Sequence, residues 1–516
     1  MGCVRFPNTT TVEHQPESSV SGCRNQEPTM SVEMRSIRVD VTADFVMTID
    51  GRPVVSHNTE PVFNPATRQV LTTVPSATRE QLDEAVAAAK RAFPSWAATD
   101  LAHRQAAVST IGDRLAEHAN EFMALLTFEQ GKPRPMAEWE VYGSIAWFRE
   151  IAKQSLPEEV IDDTGQRRVI SRHTPLGVVA AIVPWNFPIL LAVWKIAPAL
   201  VAGNTVIVKP SPFTPLCDLK LVEIVQDLLP PGVLSAVSGG DELGKWMTAH
   251  DEIAKVAFTG STETGKQVMR SAAGTLKRIT LELGGNDPAI VLGDVNPEKM
   301  APQLFWAAFQ NNAQFCNAAK RIYIHDSVYD EVRDALVSYA QTVVVGDGSR
   351  AETQLGPIQN EPQYRKVAEY FEDCRAHGYT FALGGHIDTA AAGWFVPVTL
   401  VDNPPEDSRL VAEEPFGPIA PLLRWSDEAD VIRRANDTPW GLGASVWGKD
   451  LDAIQRIARQ LESGTVWLNE VHQYSPHQVF GGHKQSGIGA ENSLHGLAEY
   501  ANHQTITLNK VPGTVS

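Results

Sequence analysis

The sequence predicts an α/β protein built from two strand–helix domains and a small β arm. Three observations predict it. From Gly177, β-rich runs at 178–183, 205–208 and 255–258 alternate with helix-like segments such as 219–229, which implies βαβ units and a mostly parallel sheet. A second alternation starts near Ala289 and includes 321–325, an amphipathic stretch at 329–340, and 465–468. Two stretches stand apart: 166–172 alternates like an exposed strand pair, and 504–508 is β-rich near the C-terminus. Exposed strands are adhesive unless covered, and pairing in a homodimer or homotetramer would cover them.

Size and composition agree with this plan. A chain of 516 residues is too long for one compact core, and 43% hydrophobic with 20% charged residues is ordinary for a globular chain. The net charge of −17 comes without a long Lys/Arg run, which argues against a nucleic-acid partner. The five cysteines, Cys3, Cys23, Cys217, Cys316 and Cys374, form no CxxC pair. Neither a disulfide framework nor a metal site is expected, and a reducing, cytoplasmic setting fits. No apolar run is long enough to span a bilayer, and the N-terminus lacks the core of a secretory signal. Met1-Gly2-Cys3 hints at myristoylation, but Phe6 stands where that motif wants Ser or Thr.

Residues 1–44 are polar and irregular, and are expected to be a disordered extension; Met30 and Met34 are alternative starts. Helical patterning begins with a capping box at Thr78-Arg-Glu-Gln81. Leu82, Ala85, Val86, Ala89 and Phe93 follow at helical spacing, and Pro94 is expected to stop the run. Helices are also expected near 104–117 and 121–129.

Polar or glycine-containing segments follow the first strands: Pro184-Trp185-Asn186, Lys209-Pro210-Ser211 and Thr259-Gly260-Ser261. Ligands of open α/β sheets bind at strand carboxyl ends, so these point to a nucleotide site. Three further residues invite a chemical reading, each with a plain alternative. Cys316 sits in a polar stretch before a β-rich segment, yet a lone cysteine is more often an inert buried thiol. Glu282, flanked by leucines and a double glycine, would be a general base if buried, or simply a surface strand end. Asn186 between prolines could donate to an oxyanion, or merely form a turn.

Together these segments resemble the aldehyde dehydrogenase superfamily over roughly residues 45 to 510. The motifs are Pro184-Trp-Asn-Phe-Pro188, Lys209-Pro210-Ser211, Phe258-Thr-Gly-Ser-Thr262, Leu281-Glu-Leu-Gly-Gly285, Gln314-Phe-Cys316, Glu413-Glu-Pro-Phe-Gly-Pro418 and Phe480-Gly-Gly-His-Lys-Gln-Ser-Gly487. Their order and spacing match that family, including 34 positions from Glu282 to Cys316 and 23 from Asn186 to Lys209.

The resemblance implies a Rossmann-type NAD(P)-binding domain (45–154 and 174–284), a catalytic domain (285–497) and oligomerisation strands (155–173 and 498–512). It implies oxidation of an aldehyde to its acid. Cys316 would form a thiohemiacetal and then a thioester. Asn186 and the Cys316 N–H would hold the oxyanion, and Glu282 would activate the hydrolytic water. Lys209 would bind the adenosine ribose, and Ser261 and Trp185 the pyrophosphate. The turn Gly260-Ser-Thr-Glu-Thr-Gly265 would open a helix that favours phosphate. Glu414 would hold the nicotinamide ribose with Phe416 beside the ring, and Leu283 and Gly285 would line that pocket. Ser211 and Gly240 complete the coenzyme set.

The implied substrate pocket is Phe187, Leu190, Trp194, Phe315, His472, Tyr474 and Phe480, mostly apolar, which favours an uncharged aldehyde. His472 and His477 could touch a polar substrate group. Two departures stand out. Pro212 occupies a position where relatives often carry a ribose-binding glutamate, so NAD is expected with NADP admitted. Ala313 replaces a common glycine and is expected to be tolerated unless φ is positive there. The alternatives are a CoA-acylating relative, against which Glu282 argues, and a non-catalytic binding protein on the same scaffold.

Overall fold

A computed structural model describes residues 44–511. The expectations for residues 1–43, including the disordered extension, the alternative starts and the lipidation signal, lie outside the described residues.

The first helix, α1 (Arg79–Ala98), begins as its sequence dictates. The Thr78 hydroxyl accepts from Gln81 N at 3.3 Å, and the Gln81 side chain accepts from Thr78 N at 3.0 Å. Its end differs from expectation: Pro94 lies inside the helix. A proline removes one backbone hydrogen bond and costs about 3 kcal/mol in a helix interior. Here the apolar stripe continues past it to Trp96, which is buried and donates its indole N–H to the Leu200 carbonyl at 3.3 Å. Packing of that stripe outweighs the proline.

The central parallel sheet contains β1 (Val178–Ile182), β2 (Thr205–Lys209), β3 (Leu234–Ala236), β4 (Ile253–Thr259) and β5 (Arg278–Glu282), in the order β3-β2-β1-β4-β5. β1 and β2 are buried at every position, as strands covered by helices on both faces must be. Helices α2 (Pro188–Val201), α3 (Asp241–Ala249) and α4 (Thr262–Ala272) follow β1, β3 and β4. The strand order reverses at β1, which opens a crevice at the carboxyl ends of β1 and β4. Short antiparallel strands extend both edges: Met47–Ile49 beside β3 and Gly487–Ile488 beside β5.

The second sheet has seven strands: β6 (Asp287–Val291), β7 (Ala319–His325), β8 (Thr380–Leu383), β9 (Thr399–Asp402), β10 (Ile419–Trp425), β11 (Gly443–Trp447) and β12 (Thr465–Leu468), ordered β8-β9-β10-β7-β6-β11-β12. All its pairings are parallel except β8 with β9. Only residues 283–286 separate β5 from β6, so the carboxyl end of a strand in one sheet runs directly into the amino end of a strand in the other. A third sheet pairs Arg167–Pro175 with Glu159–Asp163 on one side and Ala501–Asn509 on the other, all antiparallel. Both stretches singled out as exposed strands thus meet in one sheet. Among the described residues, no helix is long and apolar enough to cross a membrane.

Thr78→Ala removes the hydroxyl half of the capping box and is expected to lower unfolding free energy by about 1 kcal/mol, measured by urea denaturation.

Candidate active site

The polar stretch before Cys316 is a buried scaffold. After the helix Pro297–Phe309, residues Asn311, Asn312 and Ala313 take φ of 51°, 57° and 58°. Three consecutive left-handed residues form a sharp turn that the surroundings hold in place. Asn312 donates to Gly356 O at 3.0 Å; Gln314 donates to Asn311 O at 3.0 Å and to Pro357 O at 3.2 Å. Asparagine visits this region readily, but alanine pays about 1–2 kcal/mol for it. Ala313 therefore does sit where a glycine's freedom is needed, and its tolerance carries a conformational cost.

The turn delivers Cys316 to a narrow, mostly apolar cavity that Glu282 and Asn186 also line. Burial pushes the thiol up to about 12, while the Lys320 ammonium pulls the other way. Glu282, the last residue of β5, is 4% exposed, and neither carboxylate oxygen has a hydrogen-bond partner among the described residues. Burial raises its pKa well above the usual carboxylate range; Glu491 adds to the shift and Lys195 opposes it. The glutamate is thus the buried group, and not the surface strand end that its sequence also allowed.

Asn186 reaches the cavity from the loop between β1 and α2. Its side-chain amide donates to Gln314 O at 3.2 Å, and its carbonyl accepts from Asn311 Nδ2 at 3.1 Å and from Lys132. Lys132 pairs with Glu140 at 2.7 Å, both fully buried. Glu140 in turn accepts from the N–H groups of Ile189 and Leu190 at 3.1 and 3.3 Å. Phe187 precedes α2 without a capping side chain, so a carboxylate from another helix satisfies that terminus.

The coenzyme candidates gather at strand carboxyl ends. Lys209 ends β2; burial lowers its pKa to about 8 against the opposing pull of Glu60 and Asp241. Ser261 caps α4 by accepting from Thr264 N at 3.2 Å, and Gly265 in that helix faces Leu283. Gly240 precedes α3, and the Ser211 hydroxyl accepts from Phe213 N at 3.3 Å. Gly260 N donates to Glu282 O at 3.0 Å. Trp185 meets Phe416 edge-on, with ring centroids 5.4 Å apart. Glu414 accepts from Gly285 N at 3.2 Å. A Cβ at Gly285 would come within 2.7 Å of the Cys316 carbonyl oxygen, and one at Gly284 within 2.3 Å of Glu414 Oε2. A glycine cradle, a helix N-terminus and a buried ammonium with one long hydrogen bond, 3.3 Å to Pro210 O, fit a dinucleotide.

The cavity wall includes Phe187, Leu190, Trp194, Phe315, Tyr474 and Phe480, together with Trp139 and Leu191, which sequence reasoning missed. His472 stands behind this wall. It packs on Phe315 with centroids 4.4 Å apart, and its ring nitrogens lie 3.0 Å from Gln310 Oε1 and from Asn317 O. Burial lowers its pKa to about 4, and the ring is held between Gln310 and Asn317. His477 is exposed, 3.5 Å from Glu150, and far from a pocket role.

Three charged residues were also missed. Lys320 donates to Gly285 O at 2.9 Å and to Cys316 O, and pairs with Glu414 at 2.9 Å. Lys195 donates to Glu491 Oε1 and Thr259 Oγ1, both at 2.8 Å, and Lys195 and Glu491 are fully buried. One signal was available for Lys195: it is the sole charge in the apolar helix Pro188–Val201.

Comparison with known proteins agrees with this geometry. A model of the "Aldehyde dehydrogenase family" matches residues 54–506. Aldehyde dehydrogenase LUC3 of a Fusarium species is 40% identical, covering 90% of this chain and 98% of its own length. Phenylacetaldehyde dehydrogenase of Pseudomonas fluorescens is 37% identical over 88% of this chain and 93% of that protein. Among solved structures, the NAD+ complex of a Bacillus cereus aldehyde dehydrogenase superposes with a TM-score of 0.88 at 35% identity, covering 91% of this chain and 97% of that one. Betaine aldehyde dehydrogenase from Staphylococcus aureus in complex with NAD+ gives a TM-score of 0.88 at 34% identity, covering 92% and 96%.

Two outcomes follow from the site as built. Because the Cys316 thiol is held up to about 12, its alkylation by iodoacetamide, followed by peptide mass mapping, should rise about tenfold per pH unit through the neutral and mildly alkaline range. Ala313→Gly should raise unfolding free energy by roughly 0.5–1 kcal/mol by relieving the left-handed alanine, read by chemical denaturation.

Proposed function

The chain belongs to the aldehyde dehydrogenase family and oxidises aldehydes, and from that premise we propose that it does so with NAD through a Cys316 thioester hydrolysed with the help of Glu282. The observation that carries the proposal is the single cavity shared by Cys316, Glu282 and Asn186.

The Cys316 thiolate attacks the aldehyde carbonyl carbon, and the carbonyl oxygen becomes an oxyanion. The Asn186 side-chain amide and the Cys316 backbone N–H donate to it; one such donor is commonly worth about 3 kcal/mol of barrier. NAD, when bound, supplies the hydride acceptor; its use is supported by the fit of Lys209, Ser261 and Glu414 and by the NAD+ complexes of the two solved relatives. Lys320 anchors the Cys316 carbonyl and Glu414 together, so it holds the nucleophile loop against the coenzyme residues. Glu282 then takes a proton from water, which attacks the thioester and frees the acid and the thiol. A raised carboxyl pKa suits that task in one respect, since the ionised form is then a stronger proton acceptor than an ordinary carboxylate. The buried Lys195–Glu491 pair behind Glu282 biases its charge.

The aromatic wall and the absence of a cation among the cavity's lining residues favour an uncharged aliphatic or aromatic aldehyde. The two large sheets serve as coenzyme-binding and catalytic domains. A homodimer or homotetramer assembled through the small sheet is supported by Val160, Ile161, Ile506 and Leu508, apolar side chains exposed on it. A cytoplasmic location is supported by the free thiols Cys217, Cys316 and Cys374.

Cys316→Ala should abolish turnover on a panel of aliphatic and aromatic aldehydes while sparing coenzyme binding. Glu282→Gln should keep a single burst of NADH absorbance and lose about 10²–10⁴ in steady-state rate. Rapid-mixing spectrophotometry separates these, and faster turnover with CoA than with water would overturn the hydrolytic route.

A further inference from the structure

Pro212 stands where the family resemblance implies an acidic side chain, yet the structure carries a carboxylate to the same end of the crevice from a different element. Glu60 lies in the strand Thr59–Asn64, outside the parallel sheet. Its Oε1 accepts from Gly240 N at 3.1 Å and from Ser76 Oγ at 2.8 Å. Gly240 is the residue before α3, and Lys209 abuts the next turn of that helix, where a Cβ at Gly244 would be 3.8 Å from Lys209 Cε. Glu60 and Lys209 therefore flank one helix terminus. Glu60 is the leading charge that holds the Lys209 ammonium in its protonated form, ahead of Asp241.

Beside them, Glu60, Pro212 and Phe213 border a surface cavity of about 440 Å³. Arg68 is the only cation among its lining residues. Part of that guanidinium is engaged away from Lys209: Nη2 donates to Gly393 O at 2.7 Å, and the group lies over the Tyr364 ring at 5.5 Å. Glu361 shares the cavity wall but is paired with Arg365, so Glu60 is the carboxylate that faces Lys209. A carboxylate therefore stands beside Lys209 in spite of Pro212. A neutral diol can donate to such a carboxylate, whereas a phosphate dianion there meets repulsion and an unmatched acceptor.

We propose that Glu60 is the specificity-determining residue for the coenzyme, accepting hydrogen bonds from the adenosine ribose hydroxyls beside Lys209 and disfavouring a 2′-phosphate. This rests on the dinucleotide site proposed above. It makes the protein NAD-selective by a carboxylate that arrives from the N-terminal hairpin.

The test measures dissociation constants of NAD and NADP by tryptophan-fluorescence quenching of the intact enzyme, for the wild type, Glu60→Gln, the double variant Glu60→Gln with Pro212→Glu, and Lys209→Ala. The amide keeps an acceptor for Ser76 and Gly240, so the hairpin stays in place. The wild type is expected to bind NAD more tightly than NADP. Glu60→Gln should weaken NAD and close the NAD/NADP gap by about tenfold, and adding Pro212→Glu should reopen it. An NAD/NADP ratio that Glu60→Gln leaves unchanged, or a wild type that prefers NADP, overturns the proposal. If Lys209→Ala also leaves both constants unchanged, the dinucleotide site itself is misplaced; if Lys209→Ala weakens both while Glu60→Gln changes nothing, only the role of Glu60 fails.

Discussion

The close packing of the Leu283–Asn286 link constrains everything around it. Four residues carry the chain from the end of one sheet to the start of the other. Within them, Gly285 presses against the Cys316 carbonyl so tightly that no side chain fits there, and Gly284 leaves room for the Glu414 carboxylate. The distance from the proposed base at the end of β5 to the proposed nucleophile loop is therefore set by the backbone of Gly285 lying against the backbone of Cys316. Leu283 on the same link lines the cavity and packs on Gly265 of α4, so the coenzyme side is tied to the same few atoms. A small rearrangement of the link would disturb base, nucleophile and coenzyme residues at once.

Buried charge is the second organising feature, and it is expensive. Lys132–Glu140 and Lys195–Glu491 are fully buried pairs, and such pairs seldom contribute net stability over apolar residues of the same volume. Each is instead joined to a functional segment. Lys132–Glu140 binds the Asn186 carbonyl and the α2 terminus; Lys195–Glu491 sits behind Glu282; Lys320 joins Gly285, Cys316 and Glu414. Hydrogen bonds of fixed geometry in a dry interior hold direction better than apolar contacts do. The same desolvation that makes these pairs costly raises both Glu282 and Cys316, so the resting thiol stays protonated and the carboxylate, once ionised, is a stronger base than an exposed one.

Much of this was legible along the chain. The Thr78 capping box, the strands at 178–182, 205–209, 253–259, 319–325 and 465–468 and the strand-end clusters at Trp185, Lys209 and Ser261 follow from local rules of periodicity and turn chemistry. Other features were not legible, for identifiable reasons. Pro94 inside α1 depends on what Trp96 packs against. Ala313 carries a cost only because its φ is positive, and composition does not report a backbone angle. His472 matches a pocket position in order along the chain, but its ring is turned to bridge Gln310 and Asn317 behind the wall. Lys320 and Glu491 look like ordinary surface charges until their neighbours are known.

What the sequence by itself determined is the family, through the order and spacing of its motifs, and with it a set of candidate parts: a proposed nucleophile, a proposed base, a proposed oxyanion donor and strand ends suited to a dinucleotide. These are local or spacing properties, and they survive without coordinates. Only the tertiary structure decided the electrostatic state of those parts and their company. Cys316 was readable as an inert thiol and Glu282 as a surface strand end until the cavity placed them side by side. Pro212 argued for a weakened acid preference until Glu60, about 150 positions earlier in the chain, appeared beside Lys209. Burial, and the field of residues remote in sequence, arise from long-range packing, and no local pattern encodes them.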